Sequence, residues 1–168
     1  YQVGASQSVI SATGAVEGWR WGAGENPAVT PAQALAAQRA LDWLRSQQSV
    51  ATGGYGDGLG SALEVMLALG ANHEQIADWQ PAAGRRSLYD FVRLRATRHS
   101  RQAVAEAGKL AVAAVAAGGC RTPRSLLPAD YYSATVGAYA PDSGFNAWGI
   151  LGTLALSQSV PPGAVAAL

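Results

Sequence analysis

From Pro31 onward two kinds of apolar stretch alternate along the chain. In the first, apolar residues recur on one side only: Ala34, Ala37, Leu41 and Leu44 make one stripe between Pro31 and Gln48, with Gln38, Arg39, Asp42 and Arg45 largely elsewhere. That is the pattern of a half-exposed outer helix. In the second, apolar residues surround the helix. Ser61 to Leu69 carries Leu63, Val65, Met66, Leu67 and Leu69 with Glu64 as its one charge, as expected of a helix buried among others. The alternation continues with a mixed helix from Ser87 to Arg98 and an apolar one from Arg101 to Ala117. A third pair is a helix within Arg124 to Ala138 and the apolar run Asn146 to Leu156. The pattern predicts helical hairpins repeating at a period of roughly 40 to 48 residues. Pro161-Pro162 opens one more helix.

Local signals fix several ends. Thr30-Pro31-Ala32-Gln33 offers an N-cap hydroxyl, a proline at the first helical position and a glutamine able to complete a capping box. Ser100 is placed to cap the helix that follows it, and Gly118-Gly119 to stop that helix. Between the first two helices lies QQSVATGGYGDGLG, whose glycines suit a sharp turn from an outer to an inner helix. Before Pro31 the character changes. Residues 1–22 mix β-branched and aromatic residues with glycine and read as short strands, with Trp19 and Trp21 on one strand face; residues 23–30 read as a linker.

Composition narrows the function classes. With 168 residues, 49% of them hydrophobic, the chain can bury a core of ordinary size. Twelve Lys and Arg against 11 Asp and Glu leave no charge excess to attract nucleic acid or an anionic membrane. Lys109 interrupts the longest apolar run, and no stretch reaches the roughly 18 uncharged residues of a membrane span. Cys120, His73 and His99 lack the short spacing of a metal site, and one cysteine makes no internal disulfide.

The unit of helix, Gln48, Gly53-Gly54-Tyr55-Gly56 and then the apolar helix ALEVMLALGA resembles the repeat of the α/α toroids shared by terpene cyclases, protein prenyltransferases and cobalamin carriers. Gly144-Phe145 echoes it before the third inner helix. At the start, Val3-Gly4-Ala5-Ser6 and Glu17-Gly18-Trp19-Arg20-Trp21 resemble the closing strands of the small β domain that accompanies the toroid in bacterial transcobalamin-like proteins. The resemblance implies a mainly α fold in which residues 31–168 form part of an α/α toroid, preceded by a β segment. It implies a piece of a longer protein, or a chain completed by other copies, because the hairpins make about half a ring. It also implies a non-enzymatic, extracytoplasmic binding or assembly protein for a corrinoid-like or apolar small molecule, or for another protein chain. Two alternatives stay open: a piece of a terpene cyclase or prenyltransferase whose catalytic acids lie elsewhere, and a structural cell-surface subunit.

The chain's own chemistry is sparse. Asp57 and Asp142 stand alone, without the acidic clusters that protonate an alkene or hold magnesium on a diphosphate, and each suits a turn. Glu64 and Lys109 each sit in an otherwise apolar helix. A buried charge needs a partner, so they either pair structurally or line a cavity mouth and anchor a polar ligand group. Trp19, Trp21, Tyr55 and Trp148, with Tyr131 and Tyr132, offer apolar area with a polar handle, suited both to packing and to small-molecule contact. The candidate binding set is Trp19, Trp21, Tyr55, Glu64, Lys109 and Trp148, with no catalytic or metal residue.

Overall fold

The computed structural model describes residues 29–118 and 127–168. The β segment expected over residues 1–22, with Trp19 and Trp21, and most of the linker lie outside them, as does Cys120. The chain divides into two units, Tyr1–Gln38 and Arg39–Leu168. It is mainly helical, with α1 Pro31–Gln47, α2 Gly60–Ala71, α3 Leu88–Ser100, α4 Val104–Ala116, α5 Ser143–Ala155 and α6 Pro162–Ala166 among the described residues. None of these is long and apolar enough to cross a membrane.

Within the first unit, the start of α1 is fixed by its cap. Gln33 N donates to Thr30 Oγ1 at 3.3 Å, and Thr30 N donates back to Gln33 Oε1 at 2.9 Å. This reciprocal box satisfies two backbone donors that a helix start leaves open.

In the second unit, α2 and α4 lie side by side, as do α4 and α5, with α3 packed against α4. The main core joins Leu41 of α1, Leu63, Met66 and Leu69 of α2, Phe91 and Val92 of α3, and Leu110 and Ala114 of α4. Trp79, 1% exposed, is its largest side chain. A second cluster gathers Val104, Tyr139, Ile150 and Ala164 around α5 and α6. Two pairs fix the direction of α2 and α4: Glu64 meets Lys109, and a Cβ on Gly70 would lie 2.2 Å from the Ala116 carbonyl. Both contacts advance together along the two helices, so α2 and α4 run parallel.

Glycine sets the spacing between α4 and α5. A Cβ at Gly108 would sit 2.0 Å from the Trp148 carbonyl oxygen, and one at Gly152 would sit 2.5 Å from Gly108 Cα. Only bare backbone admits this approach, which explains why the α4 seam is built from glycine and alanine. The three apolar helices also end alike. His73, Gly118 and Ser157 each stand two residues past the last helical residue of α2, α4 and α5, at φ of 59°, 75° and 57°. After α2 and α5 the motif is complete: Glu74 N donates to Leu69 O and Gln158 N to Thr153 O, closing orphan carbonyls.

Two expectations give way. Ser100 is the last residue of α3 and fully buried rather than the cap of α4, whose N-cap is Ala103 with no side-chain hydrogen bond. Nor does a helix fill the described residues up to Ala138; they hold only a 3-10 turn, Pro128–Tyr131. Side chains there bind the backbone in competition with a helix ladder: Asp130 Oδ2 accepts from Leu127 N at 2.8 Å, and Ser133 Oγ accepts from Val136 N. Gly137, at φ 74°, then reverses the chain so that Ser133 and Ala138 form an isolated bridge.

Gly108→Ala is expected to destabilise the fold by about 1–3 kcal/mol or more, because the added methyl meets backbone that cannot rotate away. Gly58→Ala serves as the matched control. Its Cβ would enter open space at ordinary φ, so the change is expected to be neutral or stabilising by about 0.4–1 kcal/mol. Urea denaturation of both variants measures the difference, and equal midpoints would refute the packing account.

Candidate functional site

The six candidate residues fall into three groups. Trp19 and Trp21 lie outside the described residues. Tyr55 is in the core. Glu64, Lys109 and Trp148 come together on neighbouring helices.

Tyr55 owes its position to the loop before α2. Gly53 adopts φ 77°, and a Cβ there would lie 2.5 Å from the Arg86 carbonyl. The buried Gln48 side chain closes the loop, its Nε2 donating to Gly53 O at 2.7 Å and to Trp79 O at 3.1 Å. Tyr55 is thereby turned inward, 8% exposed. Its hydroxyl donates to Leu44 O at 3.0 Å and accepts from Trp79 Nε1 at 2.8 Å, while the Arg45 guanidinium covers the Trp79 ring at 4.1 Å. Burial pushes the Tyr55 hydroxyl above the ordinary phenol pKa, against smaller opposing effects of the Trp79 hydrogen bond and Arg45. Sequence reasoning missed Trp79, which lies between helices where no periodicity marks it.

The other three residues stand in the N-terminal halves of α2, α4 and α5. Lys109 Nζ donates to Glu64 Oε1 across the α2–α4 seam. The same ammonium lies 6.0 Å from the centre of the Trp148 ring, at the outer limit of a cation–π contact. Lys109 is mostly covered, its side chain 24% exposed, while that of Glu64 is 63% exposed. The carboxylate therefore keeps much of its water, and the pair contributes little to stability. The same helices carry exposed apolar side chains, Val115 on α4 and Phe145 and Leu151 on α5, while Leu67 of α2 and Val112 of α4 are half-buried. Phe145, Trp148 and Leu151 follow one another at helical spacing along α5. The arrangement can hold one polar group beside an apolar surface.

A second polar cluster lies where α3 turns into α4. His99 Nε2 is 2.7 Å from Glu106 Oε2 but without hydrogen-bond alignment, so the two would attract as an ion pair only with the imidazole protonated. Burial lowers the His99 pKa below the ordinary 6.5. The Glu106 carboxylate opposes this, the Lys109 charge adds to it, and the Gln102 side chain opposes it. Burial wins, so the imidazole is neutral at pH 7. Beside it, a cavity of about 210 Å³ is lined by Asp57, Gly58 and Leu59 from the loop, Arg95, Arg98 and His99 from α3, and Gln102. On sequence these arginines belong to the mixed helix from Ser87 to Arg98, where charge of this kind marks a solvated face.

Asp142 caps α5, accepting from Phe145 N at 2.9 Å. Among the described residues no group of three His, Cys, Asp or Glu side chains is placed to hold a metal ion. No protein family model matches the chain, and neither a curated protein nor a solved structure does.

Two measurements check these environments. Tyr55→Phe strands the buried Trp79 N–H and is expected to cost about 1–3 kcal/mol in unfolding free energy; a loss below measurement error would mean that Trp79 finds another acceptor. For His99, the unfolded chain binds a proton at a pH where the folded chain does not. Its contribution therefore favours unfolding increasingly as pH falls from about 6.5 toward the depressed folded value. Stability of the native chain relative to His99→Gln should accordingly decline over that window, and parallel pH profiles would show that His99 is not held neutral.

Proposed function

We propose that this chain belongs to a non-enzymatic, extracytoplasmic binding protein of the α/α-toroid type, and that the open face of α2, α4 and α5 receives a small, largely apolar molecule bearing a polar group. Three candidate residues support the reading by coming together on that face. Lys109 is held between the Glu64 carboxylate and the Trp148 ring, and Phe145 and Leu151, each one turn from Trp148 on α5, are exposed. A ligand acid or amide would take up Lys109 hydrogen-bonding capacity that Glu64 leaves unused, and its apolar body would cover Trp148 and Leu151. The parallel α2–α4 pair and the shared helix endings at His73, Gly118 and Ser157 support a repeating inner layer of this type. Corrinoids, which combine a large apolar ring with amide arms, are one ligand class of this description.

The exposed apolar face also favours a second reading, in which another chain covers it in an assembly. Sedimentation over a wide concentration range separates the two, since the ligand reading expects a monomer.

The test is native mass spectrometry of the whole chain with cyanocobalamin and, separately, with a long-chain fatty acid. Binding of at least one is expected, weakened about tenfold or more by Lys109→Gln and by Trp148→Ala. Lys109→Gln leaves Glu64 in water, so the variant keeps its fold. No adduct with either probe, or equal binding by both variants, would overturn the reading.

A further inference from the structure

The cavity beside α3 is separate in chemistry from the open apolar face. Its lining brings two arginines together, Arg95 and Arg98, one turn apart on the same helix. Arg95 is fixed in place: its guanidinium stacks 3.9 Å from the Phe91 ring centre, and Nη1 donates to Phe91 O at 3.4 Å. The Arg98 side chain has no ion-pair or hydrogen-bond partner among the described residues. One carboxylate, the exposed Asp57, shares the lining with the two arginines, and a second, Glu106, lies beside His99. The backbone adds to the same sign. Leu59 and Gln102 line the cavity next to the starts of α2 and α4, whose N-cap residues, Leu59 and Ala103, give no side-chain hydrogen bond. Because α2 and α4 run parallel, the partial positive charges of their first turns lie toward the same end.

We infer that this cavity binds a small oxyanion, a carboxylate or phosphate group, between Arg95 and Arg98 with the Gln102 amide as a further polar partner. Guanidinium forks match the paired oxygens of both groups. At about 210 Å³ the space is smaller than the roughly 300–1,000 Å³ of drug-sized ligand pockets, which restricts it to a small anion or the acid end of a larger molecule. The inference stands apart from the reading of the α2–α4–α5 face, because neither arginine takes part in that face.

Isothermal titration of the whole chain with inorganic phosphate and, separately, with acetate tests the site, each at ionic strength fixed with sodium chloride. Saturable binding of at least one anion is expected, and which one binds separates phosphate from carboxylate recognition. Arg98→Gln, which removes a solvent-facing charge without a structural partner, should weaken binding about tenfold or more, as expected for a lost charge-assisted hydrogen bond. Arg39→Gln, which removes an exposed charge outside the cavity lining, should leave it unchanged. Amide shifts of the 15N-labelled chain should concentrate at Gly58, Leu59 and Gln102. Responses to both anions no different from chloride, full-strength binding by Arg98→Gln, or shifts confined to α5 would each overturn the assignment.

Discussion

The backbone contact between Gly108 and Trp148 is the constraint on which the inner layer depends. With a carbonyl oxygen too near for a Cβ at Gly108, α4 and α5 meet backbone to backbone, and Gly152 repeats the approach from the other side. On its opposite flank α4 meets α2 at Gly70 and Ala116. A central helix squeezed from both sides has room for long side chains only along its edges. Lys109 occupies such an edge, which is why one ammonium reaches a carboxylate on α2 and an aromatic ring on α5 together. Close backbone packing replaces large side-chain contacts here, consistent with dispersion summed over many short contacts.

A second, more conventional anchor holds the outer elements. Trp79 fills the middle of the main core, its ring stacked by Arg45, its N–H bound by Tyr55, and its carbonyl receiving Gln48 Nε2 and Leu88 N. Every polar atom of that residue that the structure pairs is paired with a different segment. The glycine-rich loop from Gln48 to Gly60 is shaped around this knot. Gly53 and Gly54 admit close approach of the Arg86 carbonyl and the Phe91 ring, and its tyrosine is spent on the core rather than offered to solvent.

What the sequence disclosed follows from how local each signal is. The Thr30–Gln33 box and the helical, largely apolar character of α2, α4 and α5 depend on residues within a turn or two, and they were legible, whereas the exposure of Val115, Phe145 and Leu151 was not. Ser100 looked like a cap because its type suits one, yet it is a core residue whose carbonyl accepts from Tyr131 Oη at 2.6 Å, a partner 31 positions away. The segment around Pro128 has apolar residues at helical intervals, but Asp130, Ser133 and Gly137 capture the backbone first. Among site residues, Glu64 and Lys109 stood out as charges in apolar helices; their pairing needed the register between α2 and α4, which only tertiary packing fixes. Arg95 and Arg98 gave no such contrast, since arginines on an outer helix read as solvated until a loop is folded against them. Asn146 was hidden in an apolar run, although it is fully buried and joins Tyr139 N to Ala164 O.

The two ends of the inner helices are not equivalent, and the asymmetry bears on where chemistry can occur. At the C-terminal ends, left-handed residues at His73, Gly118 and Ser157 turn the chain back, and after α2 and α5 the following amides bind the last carbonyls. At the N-terminal ends the pattern differs from helix to helix. Asp142 caps α5 with its own carboxylate, whereas α2 and α4 begin without side-chain caps, so their first-turn donors seek partners beyond the cap residue. Water can serve, but an anion gains the helix field as well. The uncapped pair is also the pair flanked by Arg95 and Arg98, and Lys109 stands within the first two turns of α4. Uncapped helix starts and the two arginines of α3 thus stand together at one end of α2 and α4, and a ligand there would meet backbone donors and side-chain charge of the same sign.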